Sequence, residues 1–100
     1  MFVVETVDDL WNHIAYVISY APNRFPYRDY LGPDGQMDLD KAFGQLRAGV
    51  TIAYPEDEYS SKREDLEAIL RRSHEAYQSG DDIRGIRLLQ EFEDGIFKSD

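Results

Sequence analysis

Apolar residues recur at three- and four-residue steps through most of the chain. From Thr6 onward Val7, Leu10, Trp11, Ile14, Val17, Ile18 and Ala21 fall on one helical stripe. Thr6 followed by Asp9 approximates a capping box, with an aspartate where glutamate is usual, and Pro22 stops the ladder. The pattern predicts a helix from about residue 6 to residue 20. A second helix is predicted from Asp38, a good N-cap, to Tyr54, just ahead of Pro55. Its stripe is Leu39, Ala42, Phe43, Leu46, Val50 and Ala53. Gly44 and Gly49 each weaken it by about 1 kcal/mol relative to alanine, and are read as tolerated rather than as helix contacts.

The third helix is predicted to start at Ser61, where Ser61-Lys62-Arg63-Glu64 spells a capping box. It should bury Leu66, Ile69, Leu70, Ser73 and Tyr77, with Ala76 beside them, and stop at Ser79-Gly80. Asp81 or Asp82 caps a fourth helix with Ile83, Ile86, Leu89, Phe92 and Ile96 facing inward. The tight Gly80-Asp81 connection predicts that the last two helices pack as an antiparallel hairpin. No alternating β-branched run exists beyond Phe2-Val3-Val4. The fold expected is all-α: one four-helix bundle-like domain over residues 1–100.

The passage NRFPYRDYLGPDGQMD, residues 23–38, interrupts this pattern. Its prolines and glycines read as loop, yet it carries Phe25, Tyr27, Tyr30, Leu31 and Met37. Phe25, Leu31 and Met37 are expected to plug the core. Tyr27 and Tyr30 keep two readings, as the rim of that plug or as an exposed aromatic surface for a partner or a second copy.

Composition narrows the classes of function. The chain is 42% hydrophobic and 13% aromatic, which is globular rather than disordered. Without cysteine it has neither a disulfide framework nor a thiolate metal site, which suits a cytoplasmic location. The start of the chain lacks the basic n-region of a signal peptide, and its longest apolar run, residues 14–21, is far too short to span a bilayer. Twenty acidic against eleven basic residues give a formal charge of −9, a field that repels nucleic acid and anionic membranes and attracts basic partners.

Candidate chemistry is thin. Residues 33–40 resemble half of an EF-hand loop around Gly35. The first two carboxylates and the final bidentate one are missing, so Asp34-Gly35 reads as a turn and Asp38 as a helix cap. His13 and His74 lie on different helices, and both are expected to be solvated. No nucleophile elbow or phosphate-binding glycine loop is present. Neither enzymatic activity nor a cofactor is expected. Arg71, Arg72, Arg84 and Arg87 are interspersed with acids and are read as i,i+4 partners on a solvated face rather than as a nucleic-acid patch.

What remains is the run Tyr54-Pro55-Glu56-Asp57-Glu58-Tyr59, followed by Glu64, Asp65 and Glu67. Two tyrosines bracket three consecutive carboxylates at a helix-to-helix corner, a combination of aromatic anchors and electrostatic guidance that suits recognition. Helix starts also favour acids, so an ordinary solvated loop is the competing account. The segment Ile52-Ala53-Tyr54-Pro55-Glu56-Asp57-Glu58 resembles the aliphatic-tyrosine-tyrosine-proline run, with acids nearby, of the small acidic helical immunity proteins that neutralise bacterial nuclease toxins. Ala53 stands where the first of those tyrosines would be. By that resemblance Tyr54 is an anchor, and Glu56, Asp57 and Glu58 face the toxin.

The expectation is therefore a non-enzymatic protein that binds a basic partner, such as a cognate toxin domain, through residues 54–67. The contact set is Tyr54, Glu56, Asp57, Glu58, Tyr59, Glu64 and Asp65, with Tyr27 and Tyr30 as further candidates. Two rivals stand beside it: a homo-oligomeric or adaptor protein, a homodimer for instance, using the aromatic loop of residues 23–37, and an inhibitor whose carboxylates imitate DNA phosphates.

Overall fold

The computed structural model describes residues 3–21, 23–27, 30, 32 and 35–98. They form four helices: α1 (Val7–Tyr20), α2 (Leu39–Ala53), α3 (Ser60–Gln78) and α4 (Asp82–Phe97). The fold is all-α. No helix among the described residues is long and apolar enough to cross a membrane.

Three of the four starts follow from their caps. The Thr6 hydroxyl accepts from the Asp9 N–H at 3.0 Å, and the Asp9 carboxylate accepts in return from the Thr6 N–H at 3.2 Å, so aspartate completes the box. Asp38 accepts from the Lys41 N–H at 2.8 Å, and Asp81 from the Arg84 N–H at 3.1 Å. The hairpin turns through Gly80, whose φ of +87° a residue with a Cβ adopts only under strain. The third start differs from expectation. A single 3-10 turn, Asp57–Tyr59, runs directly into α3, whose N-cap is Tyr59 without a side-chain bond. The chain is already helical at Ser61, so Ser61 lacks the extended backbone that a capping serine needs.

The helices alternate in direction. His13 of α1 reaches the Ala42 carbonyl oxygen, whereas Leu10, about a turn earlier, lies against Gly49, about two turns later in α2. His74 of α3 meets Asp40 while Arg63 meets Tyr54, so α2 and α3 are antiparallel. The Ser73 hydroxyl donates to the Gly85 carbonyl at 2.8 Å and Leu66 approaches Gly95, which makes α3 and α4 antiparallel too. Trp11 against Phe97 closes the bundle between α1 and α4. Its centre is Leu10, Ile14, Val17, Phe43, Leu46, Val50, Leu66, Leu70, Leu89 and Phe92, nearly all sealed from solvent.

Several expectations are corrected. His13 is buried, 1% exposed, with Nε2 at 3.0 Å from the Ala42 oxygen and its ring stacked 5.8 Å from Tyr16. The buried face of α1 is Leu10, His13, Ile14 and Val17, rotated away from Val7 and Trp11, which are 39% and 47% exposed. Rotation toward α2 gives the imidazole a carbonyl partner, and that offsets the cost of burying a polar ring. His74 is no open surface group either: it lies flat on Phe43 at 4.7 Å and places Nε2 2.9 Å from the Asp40 carboxylate. Ile83, in the first turn of α4, is 69% exposed rather than inward. Gly49 is a true close approach, since a Cβ there would press into the Leu10 side chain, whereas nothing lies within 4 Å at Gly44. Arg71, Arg72, Arg84 and Arg87 are exposed and form no ion pair among the described residues.

In the connection from α1 to α2, Phe25 packs 5.5 Å from Tyr16 and Met37 lies against the core, as a plug requires. Leu31 and Asp34 lie outside the described residues.

Candidate functional site

The corner begins where Pro55 prevents α2 from continuing. Tyr54, the C-cap, turns away with φ −133° and ψ 71°, and the 3-10 turn follows at once. Tyr54 is half-buried. Its ring lies 5.5 Å from that of Tyr59, the Lys62 ammonium sits 5.9 Å from its centroid, and its hydroxyl is a long 3.5 Å from the Gly95 carbonyl oxygen. These contacts make Tyr54 a strut that fixes the corner against α3 and α4. Tyr59 is the more available ring, at 41% exposure.

Two cations stand nearby, and neither neutralises the carboxylates. The Arg63 guanidinium donates to the Tyr54 carbonyl at 2.6 Å, at the C-cap of α2, and to the Glu56 carbonyl at 2.7 Å, which also accepts from the Tyr59 N–H across the 3-10 turn. Lys62 faces the Tyr54 ring. Glu56, Asp57, Glu58, Glu64 and Asp65 are all exposed, and no described cation lies within 4.0 Å of any of them. The corner thus holds five carboxylates without a cation partner among the described residues, three on the turn braced by Arg63, Tyr54 and Pro55 and two, Glu64 and Asp65, in the first turns of α3.

Of the sequence-predicted residues, Tyr54, Glu56, Asp57, Glu58, Tyr59, Glu64 and Asp65 come together at this one corner. Tyr27 and Tyr30 do not join them. They are 66% and 83% exposed, in the connection between α1 and α2 at the opposite end of the bundle. Among the described residues no group of three or more histidines or carboxylates is placed to hold a metal ion.

One feature at the corner's end of the bundle has no counterpart in the sequence reading. Trp11, Glu93, Asp94, Phe97 and Lys98 line an open groove of about 150 Å³ between α1 and α4. Phe97 meets Trp11 edge to face at 4.9 Å. The stripe arithmetic had placed Trp11 inward, so no signal along the chain pointed here.

No family model matches the chain, and neither a curated protein nor a solved structure shows significant similarity to it.

Proposed function

We propose that this protein binds a basic protein partner through the acidic corner of residues 54–65, as an immunity protein would neutralise a nuclease-like toxin domain. One observation carries the reading: five carboxylates, three on the turn and two at the start of α3, stand exposed and without an ion pair among the described residues, while the neighbouring cations are engaged with a ring and with backbone oxygens. Desolvating such charges against a complementary surface restores partners they lack, and their field accelerates encounter before contact. Tyr59 supplies an aromatic anchor beside them. Blocking a toxin this way requires only steric cover of its substrate groove.

The test is reversal of charge at the turn. In the Glu56→Lys, Asp57→Lys, Glu58→Lys triple variant, helicity should persist, because none of the three side chains makes a bond within the fold. Immobilised wild-type protein should capture a basic partner from the source cell's lysate at low salt and release it at high salt, and the variant should capture far less. Equal capture by the variant eliminates the corner. Competition by plain duplex DNA for the captured partner would instead favour phosphate mimicry. The exposure of Tyr27 and Tyr30 favours a second reading, self-association or an adaptor role through the loop. A stable dimer in sedimentation that is insensitive to salt, and lost in Tyr27→Ser/Tyr30→Ser, supports it.

A further inference from the structure

The alternating helices sort the charge of the molecule. The N-terminal half of α1, the C-terminal half of α2, the corner with the first half of α3, and the C-terminal half of α4 share one end of the bundle. Across residues 7–13, 46–69 and 90–98 stand eleven Asp and Glu against four Lys and Arg. The described residues of 14–45 and 70–89 hold five against six. The negative charge is therefore concentrated at one pole, and the Trp11–Phe97 groove lies at that pole, joined to the corner through Gly95, whose carbonyl faces the Tyr54 hydroxyl.

We propose that this groove is a second part of the docking face and receives an arginine or lysine side chain of the basic partner, its stem against Trp11 and Phe97 and its charge beside Glu93 and Asp94. The inference rests on the partner proposed above for the source of that side chain. Trp11 is 47% exposed, and an aromatic ring open to solvent attracts a cation through its quadrupole, while the two carboxylates at the same mouth supply charge-assisted acceptors. The volume equals roughly five waters, room for one long side chain rather than a folded element. Lys98 lines the groove yet forms no ion pair with either carboxylate. Burial and the neighbouring Asp94 both raise the proton affinity of Glu93, the mark of a carboxylate without a countercharge. A second copy of this chain is disfavoured as the occupant, because it would bring the same anionic pole to meet itself.

Trp11 is the single tryptophan, so its fluorescence reports on this site alone. The probe is a capped Leu-Arg-Leu tripeptide, with its isosteric citrulline counterpart as the neutral control. The arginine peptide should change Trp11 emission saturably, and both the citrulline peptide and the Glu93→Gln/Asp94→Asn variant should weaken the response by about tenfold or more. The triple lysine variant of the corner should retain most of it. Helicity and melting temperature of the Gln/Asn variant should equal or exceed wild type, since it removes self-repulsion. In wild-type protein, with each constant taken relative to that for free N-acetyltryptophanamide, caesium should quench Trp11 more strongly than iodide, a readout that needs no variant. Equal responses to arginine and citrulline, no response to arginine, sensitivity to the corner variant alone, or parity of the two quenchers would each overturn the groove. Failure of the peptide with salt-sensitive capture intact removes the groove and leaves the corner. Intact peptide binding with capture unaffected by the corner reversal removes the corner and leaves the groove.

Discussion

Two glycines in one helix should respond in opposite directions to the same substitution. Gly44 and Gly49 both lie in the interior of α2, so replacing either by alanine gains the same helix propensity, about 1 kcal/mol. At Gly44 nothing lies within 4 Å of the added carbon, and Gly44→Ala should stabilise the fold by about that amount. At Gly49 the new Cβ would stand 3.0 Å from Leu10 Cγ and 3.1 Å from one of its methyl carbons, closer still to the other. Leu10 is 0% exposed and enclosed by the core, so it has no open space to turn into. Overpacking of this kind costs about 1–3 kcal/mol, which makes Gly49→Ala neutral to destabilising by about 2 kcal/mol net. Because propensity cancels between the two variants, their difference isolates the steric contribution of roughly 1–3 kcal/mol. For a chain of this size each kcal/mol moves the melting point by about 4–8 °C, well within reach of circular dichroism, and urea midpoints give an independent value. If both variants stabilise equally, α1 and α2 do not approach as closely as the Leu10–Gly49 contact requires.

His13, whose burial lowers its proton affinity against the partial compensation of the Ala42 carbonyl, should make the fold acid-sensitive. Its folded pKa lies below the ordinary 6.5, so the unfolded chain binds the proton first; stability is full above pH 6.5 and falls below it until the folded-state pKa is passed. Urea midpoints between pH 8 and pH 5 should show this slope in wild type and lose it in His13→Gln, and identical slopes would refute it. The Tyr77 hydroxyl is buried without a hydrogen-bond partner among the described residues, and burial followed by the nearby Asp82 charge pushes its pKa up to about 12. Tyr77→Phe keeps the ring that lies against Gly85 and should stabilise by ~1 kcal/mol; a comparable loss on calorimetry would mean that the hydroxyl is satisfied.

The elements were legible because their ends are local. Thr6 with Asp9, Asp38, Pro55, Gly80 and Asp81 each fix a boundary through atoms a few residues apart. Errors arose where a distant partner decides. Which side of α1 is buried depends on α2 offering the Ala42 carbonyl to His13, and period counting ranks Trp11 above histidine without that knowledge. The capping box at Ser61 was pre-empted by the upstream 3-10 turn. Gly49 looked tolerated because its contact, Leu10, is on another helix. The acidic corner itself was legible as consecutive carboxylates, but the engagement of Arg63 with backbone oxygens emerges only once the chain turns at Pro55. The groove was invisible, since Trp11 and Phe97 stand at opposite ends of the sequence.

Helix electrostatics separates the carboxylates that folding explains from those it does not. Asp8 and Asp9 lie in the first turn of α1, and Asp57 and Glu58 immediately precede α3; at helix N-termini negative charge is favourable by about 0.3–1 kcal/mol. Those acids have a structural reason to be where they are, whatever they bind. Glu91, Glu93 and Asp94 have the opposite placement. They crowd the C-terminal half of α4, whose last turn contains no basic residue, so they oppose the dipole and one another. Nothing in the packing of α4 rewards them: Asp94 is exposed, and Glu93 meets burial and a like charge rather than a cation. Two of them, Glu93 and Asp94, line the open aromatic groove, and carboxylates that the fold disfavours carry more functional weight there than acids at a helix start. The groove is therefore the more discriminating place to test recognition of a basic partner, even though the corner was the easier feature to read from the chain.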